Sequence, residues 1–160
     1  MWSSPQCTHV KQTPCDRTVD KALLDTDIFS EILKGKDQQV VTTAVNYRAL
    51  FGRYTISVVT VLEIVKGFHK VSREDRVQQF LGGLPTAEVL SLDLYSAELA
   101  GRIYADLERV GQPIGRADPM IAAIALRHDL VPVTGNLSHF QRIPALGYSL
   151  KLDNWRVQKP

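Results

Sequence analysis

A chain of 160 residues with 44% apolar and 22% charged side chains has room for one domain with a hydrophobic core, and its composition excludes wholesale disorder. A formal net charge of +2 excludes the broad basic field of a nucleic-acid coat protein, though it leaves room for a local basic rim. No apolar run reaches the roughly 20 residues of a membrane helix, and the N-terminus lacks the order of a secretory signal, so a cytoplasmic protein with no membrane partner is expected.

Residues 1–20 carry two prolines and no periodic apolar pattern, which reads as a flexible leader ahead of a domain at 21–160. Cys7 and Cys15 both fall in that leader. Without a second pair or a nearby histidine pair they make no zinc site, and they are read as incidental.

The domain opens with Ala22-Leu23-Leu24, an apolar run suited to a strand buried on both faces, ending in Asp25. Helices are predicted at 28–34 and 38–51, separated by Gly35 as a stop and Asp37 as a cap. The β-branched stretch 54–59 predicts a second strand. Thr60 then caps a helix to about Lys70, with Val61, Ile64, Val65 and Phe68 on one face and Glu63 opposite them in the first turn.

Ser72 caps a helix over 72–82, and a strand follows at 88–92. Over 94–110, Tyr95, Leu99, Ile103, Leu107 and Val110 form a helical stripe that Gly111 stops. Asp118-Pro119 reads as cap plus first-turn proline of a helix to about His128. A strand at 130–134, a turn at 137–142 and a last strand near 149–152 complete the pattern. Strands alternating with helices predict a three-layer α/β/α fold around a central, mainly parallel sheet.

In such sheets ligands bind beyond the carboxyl ends of the strands. Asp25 ends the first strand, Glu63 and Asp118 open later helices, and Asn136 and His139 follow the fourth strand, so all five project from one edge. Converging carboxylates repel unless a cation lies between them, and hard oxygen donors select Mg²⁺ or Mn²⁺. Such a cation suits phosphodiester hydrolysis. Taken singly, Asp118 is a good helix cap and Glu63 a first-turn acid able to pair with Lys66, whereas an acid after two leucines is costly unless it faces a cleft.

The segments Leu23-Leu24-Asp25-Thr26-Asp27, Ser57 to Ile64, Pro113 to Ala123 and Val133 to Phe140 resemble, in order and spacing, the four motifs of PIN domains, and most of all the VapC toxins of type II toxin–antitoxin systems. The resemblance implies a Mg²⁺-dependent endoribonuclease, a homodimer, an RNA substrate and a VapB-type antitoxin that blocks the site. Carried over by position, Asp25 and Asp118 are the principal metal ligands, and Glu63 completes the acidic set by holding a second metal or activating water. Thr134 and Asn136 shape the site. Family members often have an acid where this chain has His139, an imidazole able to contact phosphate or metal. Asp129 lies at the far end of the Asp118 helix and is a poor substitute.

Asp27 reads as the cap of the helix beginning at Ile28. Arg116, Arg142, Lys66 and Arg53 are candidates for a basic rim, equally readable as solvated surface charge. Two rivals stand beside the nuclease. A haloacid-dehalogenase-like phosphatase would use Asp25 as nucleophile and Asp27 as acid or base, but lacks the later acidic cluster. A degenerate PIN domain would only bind, a reading motivated by His139.

Overall fold

The computed structural model describes residues 19–156. Cys7, Cys15 and nearly all of the expected leader lie outside the described residues. Two pairs of parallel strands form the middle of the molecule: β1 (Ala22–Leu24) with β4 (Val131–Val133), and β2 (Thr55–Ser57) with β3 (Glu88–Leu90). β1 and β2 lie side by side. The spatial order is therefore β3-β2-β1-β4, with Asp153 bridging to the outer side of Val133.

Alternation along β1 divides two cores. Leu23 packs with Ile103, Leu107, Ile121 and Phe140, while Ala22 and Leu24 point the other way to Ile28, Val40, Ile56 and Ile64. Successive side chains of a strand face opposite sides, so a strand apolar at every position must be covered twice. Burying each leucine fully contributes about 1.5–3 kcal/mol.

One layer holds α1 (Thr26–Lys34), α2 (Gln38–Phe51), α3 (Val58–Lys70) and α4 (Glu74–Gly83). The other is built mainly from α5 (Leu94–Arg109), α6 (Ala117–Arg127) and the short α7 (Leu137–Phe140). Chain order runs outward from β1 through β2 to β3, then crosses to β4. The strand order therefore reverses between β1 and β4, where parallel sheets open a crevice. Among the described residues no helix is long and apolar enough to cross a membrane.

Several helix starts differ from the sequence expectation. α1 begins at Thr26 and not at Ile28, so its cap is Asp25, which accepts from Thr26 N, while Asp27 lies in the first turn with its Oδ1 accepting from Ile28 N at 2.8 Å. Ser57, not Thr60, caps α3, accepting from Thr60 N at 3.2 Å, so Glu63 sits in the second turn. Asp118 lies within α6 and caps nothing. Ser72 adopts a left-handed φ of 56° before α4 instead of capping it.

The stripe of α5 is also shorter than expected. Tyr95 and Val110 are exposed, Arg127 lies 5.0 Å over the Tyr95 ring, and Asp93 caps the helix through Ser96 N. The strand expected at 149–152 does not form, and only the Asp153 bridge remains.

Candidate active site

Asp25 follows directly on β1, and its backbone N–H still donates to Val133 O at 3.0 Å, which fixes the residue at the β1–β4 reversal. The residue as a whole is 6% exposed. Oδ1 accepts from Thr26 N at 2.7 Å, and Oδ2 accepts from the Thr134 hydroxyl at 2.7 Å. Burial pushes the acid up to about 7, further raised by the charges of Asp27 and Asp118 and opposed by the Thr134 and Thr26 hydrogen bonds.

Thr134 does two things at once. Its Oγ1 donates to Asp25 and accepts from Asn136 N at 2.9 Å, so the loop after β4 is folded around the acid at the end of β1.

Asp118 in the first turn of α6 reaches the same crevice. Its Oδ2 lies 3.3 Å from Asn136 Nδ2 and 3.1 Å from His139 Nδ1. Asn136 Nδ2 is also 2.7 Å from His139 Nδ1, so the imidazole donates to Asp118 with its proton on Nδ1 and accepts from Asn136 with the proton on Nε2. Burial raises the Asp118 carboxyl; the His139 hydrogen bond lowers it, and the charges of Glu63 and Asp27 raise it. Asp118 therefore senses Glu63.

Glu63 accepts from the Thr26 hydroxyl through Oε2. It does not pair with Lys66, the partner one turn ahead that the sequence offers. Asp25, Glu63, Asp118 and Asn136 line one open cleft of about 410 Å³ with Thr26, Asp27, Lys66 and Lys70. Arg116 and His139 line a neighbouring cleft that shares Glu63, Asp118 and Asn136. A larger cavity of about 1130 Å³, between α2 and the C-terminal segment, contains none of the three acids.

Among the described residues no lysine or arginine pairs with Asp25, Glu63 or Asp118. The donors are hard oxygens, the chemistry that suits Mg²⁺ or Mn²⁺. As arranged, the carboxylates are turned to hydroxyl, amide and imidazole partners, and no three acidic, histidine or cysteine side chains among the described residues converge on one point. Asp25 and Asp118 would hold such a cation through their carboxylate oxygens, the donors that Mg²⁺ or Mn²⁺ takes one or two at a time.

Asp27 has a different task from the expected cap. Its Oδ2 accepts from Gly135 N at 2.9 Å and from Arg156 Nη1 at 3.1 Å, while Arg156 Nη2 lies 3.6 Å from Glu31 Oε1. It thus anchors the site loop to the C-terminal segment, and although it lines the cleft beside Asp25 its Oδ2 is already taken by Gly135 and Arg156, contrary to the free acid or base a phosphatase needs. Nothing local in the sequence joins Asp27 to Arg156.

The proposed basic rim is also redrawn. Arg53 lies near Glu88, at the opposite edge of the sheet, and Arg142 donates to Pro113 O at 3.0 Å. Lys70 is a cleft residue the sequence reading missed, although its place one turn after Lys66 on the same helix was a usable signal.

A PIN domain family model matches residues 22–146. The chain is 32% identical to the tRNA(fMet)-specific endonuclease VapC of Salmonella typhimurium over 136 residues, covering 84% of this chain and 98% of that protein. It is 30% identical to ribonuclease VapC2 of Haemophilus influenzae over 139 residues, with coverage of 84% and 98%. The structure also superposes on the DNA-bound VapBC crystal structure from Salmonella typhimurium with a TM-score of 0.71, at 33% identity, over 86% of this chain and 99% of that one. With a family match across most of its length and VapC relatives that it spans almost end to end, the chain belongs to the PIN domain family, among the VapC-type members.

Proposed function

We propose that the chain is an endoribonuclease, dependent on Mg²⁺ or Mn²⁺, that hydrolyses RNA phosphodiester bonds and acts as the toxin of a VapBC-type pair. The observation that carries this reading is the cleft itself. Three acids from distant parts of the chain, Asp25, Glu63 and Asp118, line it without a lysine or arginine partner among the described residues, Asp118 facing the His139 imidazole. A buried carboxylate, Asp25, sharing a cleft with the half-buried Glu63 and Asp118 is costly when all are ionised, and a bound cation relieves that cost.

A divalent cation at this site supplies positive charge against a phosphodiester oxygen and an acidified water. Asp25 and Asp118 are its proposed ligands. Glu63, steadied by Thr26, is the acid left to accept a proton from the attacking water or to hold a second ion. Thr134 keeps Asp25 oriented, and the Asn136 amide and the His139 imidazole offer donors to phosphate oxygens. Hydrolysis then forms one P–O bond from water and breaks one to the departing ribose oxygen.

Regulation by a small VapB-type antitoxin, assembly as a homodimer, a cytoplasmic location and a nuclease unit starting near Lys21 belong to the same reading. The names of the Salmonella and Haemophilus relatives and the VapBC crystal structure support the ribonuclease and antitoxin parts. Expression in a bacterial host tests the whole. Growth arrest is expected, relieved by Asp25→Asn or Asp118→Asn and suppressed by co-expression of the small neighbouring gene product. Sequencing of newly formed 5′ ends identifies the RNA, beginning with initiator tRNA, the substrate in the Salmonella relative's name. Arrest by both variants, or arrest without new RNA ends, overturns the reading.

A further inference from the structure

The face of α3 that carries Glu63 continues outward as Lys66, Gly67 and Lys70, at i, i+3, i+4 and i+7, and all four residues line the cleft that holds Asp25 and Asp118. We propose that Lys66 and Lys70 are a phosphate track, binding two successive backbone phosphates of a single-stranded RNA as it leaves the carboxylate site. The proposal rests on the nuclease reading above.

Three observations support it. First, both lysines are exposed, and among the described residues neither makes an ion pair or hydrogen bond. The partner within reach of Lys66 is Glu63, whose carboxylate is held by Thr26. Between the lysines, His69 is turned to Glu74, with Nδ1 3.5 Å from Oε2. Second, four residues of helix advance about 6 Å. That rise is comparable with the separation of neighbouring phosphates along a strand, so two ammonium groups at this spacing can be satisfied in turn.

Third, Gly67 lacks a packing reason. A Cβ built there meets nothing within 4 Å, and its φ is not left-handed, yet glycine is a poor residue for a helix interior. Its effect is to leave the helix surface bare between the two lysines, a floor across which a sugar–phosphate backbone can pass closely. Glu63, Asp25 and Asp118 at the end of the track would repel a phosphate chain, and the lysines offset that repulsion beside the site. An acidic peptide is the less suitable occupant: the track leads straight onto carboxylates, and it offers lysine point charges in place of the guanidinium fork that holds a carboxylate in two places.

The test is anisotropy of a short fluorescein-labelled single-stranded RNA with the full-length Asp25→Asn chain in EDTA, across a series of KCl concentrations. Each phosphate contact contributes about 0.7 to the slope of log affinity against log salt for a single strand. Lys66→Gln and Lys70→Gln should each lower the slope by about 0.7, and the double variant by about 1.4. Gly67→Leu should weaken binding several-fold with the slope unchanged, circular dichroism reporting an intact fold. Binding with an unchanged slope in the double variant overturns the track, and if the otherwise wild-type chain still cuts RNA the nuclease reading stands alone. An unchanged RNA slope with weakened antitoxin capture reassigns the surface to protein and also overturns it. A chain that neither binds nor cuts any RNA removes both readings together.

Discussion

The hydroxyl of Thr134 donates to Asp25 Oδ2 at 2.7 Å, joining residues 109 positions apart at the ends of β1 and β4. This one contact links fold to chemistry. The parallel pairing of β1 with β4 brings the two strand ends together, and the hydrogen bond orients a buried carboxyl at the floor of the cleft. Because the same oxygen accepts from Asn136 N, the loop that carries Asn136 and His139 depends on it too.

Thr134→Val removes the donor to Asp25 and the acceptor for Asn136 N while keeping the shape. A loss of roughly 1–3 kcal/mol is expected, the cost of leaving a buried polar partner unsatisfied. The Asp25 carboxyl should also rise above about 7, since Thr134 is the largest influence lowering it. Denaturant melts and ¹³C titration of the side-chain carboxyl check both effects, and Thr134→Ser should restore most of each. A valine variant with an unshifted Asp25 contradicts the assignment.

Burial raises Asp25 from 3.8 to about 7, so between those values the folded chain holds a proton that the unfolded chain has released. The stability contributed by neutral Asp25 is complete below about pH 4 and is lost as pH rises through about 7. Asp25→Asn cannot ionise. In EDTA at about pH 8 it should be more stable than wild type by roughly 1–3 kcal/mol, within the ~4 kcal/mol ceiling set by about 1.36 kcal/mol per pH unit. That advantage should close near pH 4. Urea melts at the two ends of the range decide it, and a pH-independent difference counts against the burial argument.

A methyl group on Gly135 runs into the Arg156 guanidinium and the Asp27 carboxylate. Both are ends of side chains, so the Asp27–Arg156 pair gives way before the backbone does. Gly135→Ala should cost about 1–2 kcal/mol and loosen the loop that holds Asn136, lowering cleavage. Arg156→Ala made in the alanine background should cost less than in wild type, because the pair is already open. A double-mutant cycle by urea melts measures this, and strictly additive losses contradict the clamp.

The large features of this fold were legible because their signals are local. The apolar run before Asp25 marked a doubly covered strand, and Gly35 and Asp37 marked the break between α1 and α2. Helix starts were harder to read. Runs such as Ser57-Val58-Val59-Thr60 and Asp25-Thr26-Asp27 hold more than one residue able to cap, and the choice follows from where the strand releases the chain.

At the site, the common edge of Asp25, Glu63 and Asp118 could be read from strand and helix order. Their actual partners could not. The contacts of Thr26 with Glu63 and of Asp27 with Arg156 join positions 37 and 129 apart, which no periodicity reports. Tyr95 misled for a related reason: its helical spacing fits a core stripe, but the ring lies outside under Arg127.

The central claim is that Asp25 and Asp118 support cation-dependent cleavage of RNA. Single-turnover cleavage of a purified RNA tests it most directly, comparing wild type, Asp25→Asn and Asp118→Asn with Mg²⁺ or Mn²⁺ and with EDTA. Wild type should cut only with the cation and recover when the cation is returned. Each variant, shown folded by circular dichroism, should lose at least about 100-fold, the scale on which removing one charge-stabilising group acts. Cleavage that survives EDTA, or that Asp25→Asn leaves undiminished, would contradict the account.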